Sequence, residues 1–117
     1  MTDIKKINYI ADHYGFISQR EMLIEECAEL IQAVQKLKRA EATDDAESIE
    51  KATDSYLEEL ADVAIMVEQM HRIMSLEQVG KFNDNLKIKL DRQIDRIEKA
   101  KQQEKEDYYK WREGVTA

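Results

Sequence analysis

The sequence predicts an all-α fold, an antiparallel helical bundle of about four helices completed by oligomerisation. Two features of the composition point there. The 117 residues include no proline and only three glycines, so few positions interrupt a helix. Hydrophobic residues make up 43% and charged residues 37%, with Ala, Glu, Lys, Leu, Ile and Gln abundant, which suits long helices with one buried stripe and a charged outer face. A third feature is the recurrence of apolar side chains at steps of three and four along most of the chain. The length fits one domain, 1–117.

The first helix is expected over about 3–14, where Ile4, Ile7, Ile10, Ala11 and Tyr14 share a face and Gly15 follows as a left-handed stop. Ser18-Gln19-Arg20-Glu21 has the form of a capping box and opens a second helix running to about Arg39. Leu23, Cys27, Leu30, Val34 and Leu37 form its core stripe. Met22, Glu26, Glu29 and Ala33 border that stripe, while Glu25 looks outward. The turn is expected within residues 40–47, and Thr43, Asp44 and Asp45 signal the start of a third helix from about 46 to the low seventies. Its core stripe is Tyr56, Leu60, Val63, Val67, Met70 and Met74, bordered by Ser55, Glu59, Asp62 and Met66. Ser75-Leu76-Glu77-Gln78 is a second capping box, opening a last helix that reaches Lys105 or beyond. Val79, Phe82, Leu86, Leu90 and Ile97 make its apolar band; Lys81, Asn85, Lys89, Arg92, Arg96 and Lys99 make a mostly cationic one. A tail of about 106–117 carries Tyr108, Tyr109 and Trp111. Ile24, Ile31, Leu57 and Ala64 fall outside the narrowest helix seam, so a second subunit is expected to cover them.

A net charge of −7 argues against binding polymeric nucleic acid, whose affinity comes mainly from neutralising phosphates. A small anionic substrate remains compatible if a metal supplies local positive charge. Cys27 is the only cysteine, which excludes an intrachain disulfide and fits a reducing compartment. No apolar stretch approaches the roughly 20 residues of a membrane span, and Met1 to Lys6 lead into an amphipathic run rather than a signal-peptide core. No membrane association and a cytoplasmic location are therefore expected.

Glu26 and Glu29 on one helix, and Glu59 and Asp62 on the next, each sit three residues apart, placing their side chains on one face about 5–6 Å apart at Cβ. An antiparallel hairpin turning at Asp44 sets Glu26 level with Asp62 and Glu29 level with Glu59. Four gathered carboxylates repel one another and have raised pKa values unless a cation neutralises them. Such a set of oxygen ligands suits a hard cation such as Mg²⁺. The blander reading of any one Glu-x-x-Glu pair is a solvated helix face. The cationic band on the last helix reads either as a solvated surface paired with neighbouring acids or as a rim that holds phosphates. Glu68 and His71 have the Glu-x-x-His spacing by which ferritin-like bundles hold iron, but the same hairpin sets Glu68 opposite Arg20, an ordinary ion pair. A dimeric carboxylate–histidine iron protein and a non-enzymatic helical adaptor are the competing functional readings. His13 reads as a surface or capping residue, and Cys27 as a packing residue on the core stripe.

Glu25-Glu26-x-x-Glu29 within LIEECAELIQAVQKL, followed by Glu59-x-x-Asp62 within YLEELADVAIMVEQM and by KLDRQIDRI, resembles the MazG-like all-α nucleoside triphosphate pyrophosphohydrolases. The resemblance covers about residues 16–97. It implies a helical bundle forming a homodimer or homotetramer, with Mg²⁺, or Mn²⁺ in its place, held by Glu26, Glu29, Glu59 and Asp62. It also implies attack of water at the α-phosphorus of a nucleoside triphosphate, giving the monophosphate and pyrophosphate. On that chemistry Glu25 or Glu29, at the edge of the cluster, takes the proton from water. Lys89 and Arg92, with Asn85, are the expected contacts of the departing phosphates. Gln19 and Phe16, by position, are the expected contacts of the base.

Overall fold

Thr2 caps the N-terminal helix: it is extended, and its hydroxyl accepts a hydrogen bond from Lys5 N at 3.2 Å. The computed structural model describes residues 1–114. Among them are three helices, α1 (Asp3–Thr43), α2 (Ala46–Ile73) and α3 (Leu76–Arg112), and no strand. The described residues are therefore of all-α class, as the composition leads one to expect.

α1 contains the first two expected helices, separated by a single residue. Gly15 adopts φ 76° and ψ 173°, a conformation essentially confined to glycine, and helical geometry resumes directly after it. The second segment consequently starts before Ser18, and the capping box read at Ser18 and Glu21 lies inside a helix rather than at its start. One residue of positive φ redirects the chain without a loop to cap.

α1 also runs four residues past the expected end at Arg39, because two aspartates make the whole turn. Asp44 closes α1 in the left-handed region, φ 59° and ψ 20°, with its N–H donating to Glu41 O at 3.3 Å. Asp45 is extended and opens α2: its carboxylate accepts from Ser48 N at 3.3 Å and from Ser48 Oγ at 2.6 Å. Those bonds to Ser48, side chain first and then backbone, hold the Asp45 carboxyl below its usual range. Short-chain aspartates tolerate both conformations, which is why the turn needs no glycine.

The two helices pair antiparallel. Near the open end, Arg72 Nε and Nη2 donate to the two Asp12 carboxylate oxygens at 3.3 and 3.2 Å, tying the segment before Gly15 to the end of α2. Along the seam, Gln19, Leu23, Glu26, Leu30, Ala33, Leu37 and Ala40 of α1 are buried or half-buried. So are Ile49, Ala52, Tyr56, Glu59, Val63, Met66, Met70 and Ile73 of α2. Both series alternate by three and four residues, the repeat of coiled-coil packing. This corrects the expected seam. Ala33 and Met66, placed at its margin, are each 5% exposed, whereas Val34, Leu60 and Val67, placed at its centre, are 45%, 41% and 42% exposed. The contact line is rotated towards the stripes that bear the acids, so Glu26 and Glu59 take positions an apolar residue would ordinarily fill.

The chain divides into two compact units, the first Met1–Met74 and the second starting at Ser75. The second is α3. Its capping box forms as expected, Ser75 Oγ accepting from Gln78 N at 3.2 Å and Gln78 Oε1 from Ser75 N at 3.0 Å. Two members of the cationic band engage acids one turn earlier, Lys81 with Glu77 at 3.3 Å and Lys99 with Asp95 at 2.8 Å. Helix continues through Tyr108, Tyr109 and Trp111, the Tyr108 ring lying against each of the other two, so the expected tail is helical to Arg112; its positions 115–117 lie outside the described residues. Among the described residues no helix is long and apolar enough to cross a membrane.

Candidate functional site

Three-residue spacing along α1 and α2, combined with a two-residue turn, brings carboxylates together from both helices. One oxygen from each of Glu26, Glu29 and Glu59 lies within 4.8 Å of the others. Glu26 and Glu59 are half-buried and Glu29 is exposed. The Oε2 atoms of Glu26 and Glu59 are buried with no hydrogen-bond partner, which is costly for a carboxylate.

The electrostatics report the register. Burial raises the Glu26 carboxyl above its ordinary range, and the negative charge of Asp62 adds the next largest push, followed by Glu29, Glu59 and Glu25. Glu59 is likewise raised, first by burial, then by Glu29, Asp62 and Glu58. Among neighbouring charges, Glu26 thus answers most to Asp62 and Glu59 most to Glu29, as the hairpin centred on Asp44 requires. Asp62 itself stands outside the close triad, is exposed, and acts on it through its charge.

These groups fit a divalent cation. Ligands on opposite sides of an octahedral Mg²⁺ are separated by about 4.2 Å, twice the Mg–O distance. The three oxygens lie within 4.8 Å of one another, and an ion among them would offset the repulsion that, after burial, raises Glu26 and Glu59.

A cavity of about 260 Å³ adjoins the cluster between the two helices. Glu26 and Asp62 line one part of it, and Ile10, Tyr14, Ser18, Gln19, Met22, Ile65, Met66 and Gln69 line the rest. Gln19 and Gln69 are 2% and 4% exposed, and Gln19 Oε1 has no hydrogen-bond partner. Ile10 and Tyr14 enter the wall because the Gly15 kink and the Asp12–Arg72 pair hold the first segment against the others.

Of the residues singled out from sequence, Glu26, Glu29, Glu59, Asp62 and Gln19 therefore belong to one locality. Glu25 is exposed and contributes to the field at Glu26. Phe16 is not in the cavity wall; it is 49% exposed, with the Arg20 guanidinium 5.7 Å from its ring centre. The resumption of helix directly after Gly15 turns position 16 away from the wall that Ser18 and Gln19 share. Arg20 pairs with Glu21 at 3.5 Å, not with Glu68, because its neighbour in sequence lies within easier reach. Among the described residues, Glu68 and His71 join no group of three potential ligands. Asn85, Lys89 and Arg92 are exposed on α3, in the second unit. Gln69 was overlooked in the sequence, although the register that sets Glu26 level with Asp62 also sets Gln19 level with Gln69.

No family model, curated protein or solved structure matches the chain.

Proposed function

We propose that the chain is a Mg²⁺-dependent nucleoside triphosphate pyrophosphohydrolase, converting a nucleoside triphosphate and water to the monophosphate and pyrophosphate. The observation that carries this reading is the triad of Glu26, Glu29 and Glu59, with oxygens within 4.8 Å and two buried oxygens left without partners. The sequence resemblance supplies the reaction class, and the adjoining cavity supplies room for part of a small substrate.

Glu26, Glu29 and Glu59 hold the ion in this reading, with Asp62 at their side. When bound, the ion offsets triphosphate charge and lowers the pKa of a water molecule. Water attacks the α-phosphorus, the bond to the α–β bridging oxygen breaks, and that oxygen leaves with pyrophosphate. The water proton passes to Glu29 or Glu25, the two exposed acids at the edge of the cluster. The half-buried Glu26 and Glu59 are held between packed helices, so their carboxylates keep position without the entropy cost of ordering at each turnover. Assignment of Asn85, Lys89 and Arg92 to the departing phosphates rests on the sequence. The same reading gives a homo-oligomer acting on nucleotides rather than on polymeric nucleic acid.

Chromatographic analysis of products from a panel of nucleoside triphosphates with Mg²⁺ or Mn²⁺ tests the proposal. Monophosphate and pyrophosphate are expected in equal amounts, and Glu59→Ala or Asp62→Ala is expected to lower kcat/KM by about 100-fold or more with helical ellipticity retained. Absence of turnover across the panel, or diphosphate and inorganic phosphate as products, contradicts it.

A further inference from the structure

Gly15 divides the wall of the cavity into two parts. Ile10 and Tyr14 lie before it, and the other lining residues lie after it on α1 or on α2. The second part is firmly held: Gln19, Met66 and Gln69 are 2%, 5% and 4% exposed, within the seam of the two helices. The first part is not. Of residues 3–14, Ala11 alone is buried, Ile7 and Asn8 are half-buried, and both wall residues, Ile10 and Tyr14, are exposed. An alanine methyl removes little apolar area from water, and a segment with few buried apolar contacts opens at lower cost than a packed core.

The same segment has a hinge at one end and a polar tie beside it. Gly15, at φ 76°, moves between positive and negative φ at little cost, and a Cβ added there would meet no atom within 4 Å, so the chain has room to change direction. Arg72 of α2 grips both Asp12 carboxylate oxygens, yet the two side chains are 47% and 60% exposed. An ion pair so open to water is weak and is screened by salt, which suits a contact made and broken in turn. We propose that residues 3–14 are a lid on the cavity, hinged at Gly15 and latched by Asp12 and Arg72, a ligand entering when the pair is broken and being retained when it forms. The lid stands on the geometry of the first unit; that its ligand is a nucleotide rests on the pyrophosphohydrolase reading. Rotation by about 20° at Gly15 carries Lys5, about 15 Å away along the helix at 1.5 Å per residue, through about 5 Å.

The test is a distance measured by pulsed electron resonance between nitroxides at Lys5→Cys and Glu68→Cys, both exposed positions, in the full chain carrying Cys27→Ala. Dilution with unlabelled protein restricts the signal to distances within one chain. Without ligand, a short and a long distance are expected, and Asp12→Asn or Arg72→Gln is expected to raise the ratio of long to short about two- to fivefold, the range open to an exposed pair. Exchanging the charges, Asp12→Arg with Arg72→Asp, is expected to return the ratio towards that of the unaltered pair. Stopped-flow release of the α,β-imido analogue of the triphosphate turned over best, with Mg²⁺, is expected to quicken by a similar factor in Asp12→Asn. A single distance that neither variant alters, or a charge-exchanged protein as open as the single variants, overturns the latched lid and leaves the pyrophosphohydrolase reading in place. Distances that respond as expected in a protein that hydrolyses no nucleotide sustain the lid and overturn that reading.

Discussion

Glu26 and Glu59 are the residues on which the account turns, because each is an acid in a position the coiled-coil repeat reserves for an apolar side chain. Their raised carboxyls set the sign of a pH effect. A carboxyl whose folded pKa exceeds its unfolded one binds protons more readily in the folded state, so its contribution to stability is complete below the ordinary carboxylate range and is lost as pH rises through the raised value. Melting of the Mg²⁺-free protein is therefore expected to move to lower temperature as pH rises from that range towards neutrality; a melting temperature that climbs over the same window contradicts the assignment. Asp45 works in the opposite sense, its lowered carboxyl favouring the folded state above the ordinary range. The acid quartet was legible in the sequence because three-residue spacing and a turn centre suffice to bring the pairs together. Half-burial of Glu26 and Glu59 follows from their bordering the core stripe; that the seam itself runs through them does not, since hydrophobic patterning steers the seam away from carboxylates, and Phe16 lies outside the cavity wall because helix resumes directly after the kinked Gly15.

At the scale of elements, the helical stretches followed from sequence in outline and the caps at Asp45 and Ser75 formed as expected, whereas Ser18 lies inside a helix and Gly15 ends none. Boundaries were less legible. A two-aspartate turn is shorter than the acidic stretch around it, so α1 ends at Thr43, and Gly15 acts as a hinge between two helical segments rather than as the end of a helix with a loop after it. The hinge position follows from backbone conformation alone, as a Cβ at Gly15 meets no atom within 4 Å. Gly15→Ala is accordingly expected to destabilise the protein by about 1–3 kcal/mol through backbone strain. Urea unfolding measures it, and an unchanged midpoint would show that residue 15 adopts an ordinary conformation. Because Ile10 and Tyr14 precede the hinge and line the cavity, the same substitution is expected to weaken nucleotide binding more than it weakens the acid cluster.

At the scale of the whole molecule, the striped composition led directly to an all-helical chain, while the number of subunits is not written in any one stripe. Ile24, Ile31 and Leu57 are 61%, 64% and 53% exposed, and they share the first unit with a seam that already uses the opposite faces of α1 and α2. Water-exposed side chains of this size on packed helices are a common mark of self-association. Sedimentation equilibrium is expected to give at least twice the chain mass of 13.7 kDa, and Ile24→Glu with Leu57→Glu is expected to shift the protein towards monomer. A wild-type protein that sediments as a monomer at all accessible concentrations contradicts the homo-oligomer.

The most direct measurement is the melting temperature of wild type and of Glu59→Gln, each with and without Mg²⁺. A ligand that binds only the folded state raises stability with its concentration, so Mg²⁺ is expected to raise the wild-type melting temperature saturably. Without the ion, Glu59→Gln is expected to melt above wild type, because one repelling charge has been removed from the triad, and it is expected to gain little when Mg²⁺ is added. Equal responses of the two proteins to Mg²⁺, or a Glu59→Gln protein that is less stable than wild type in its absence, would contradict the assignment of Glu26, Glu29 and Glu59 as a cation site.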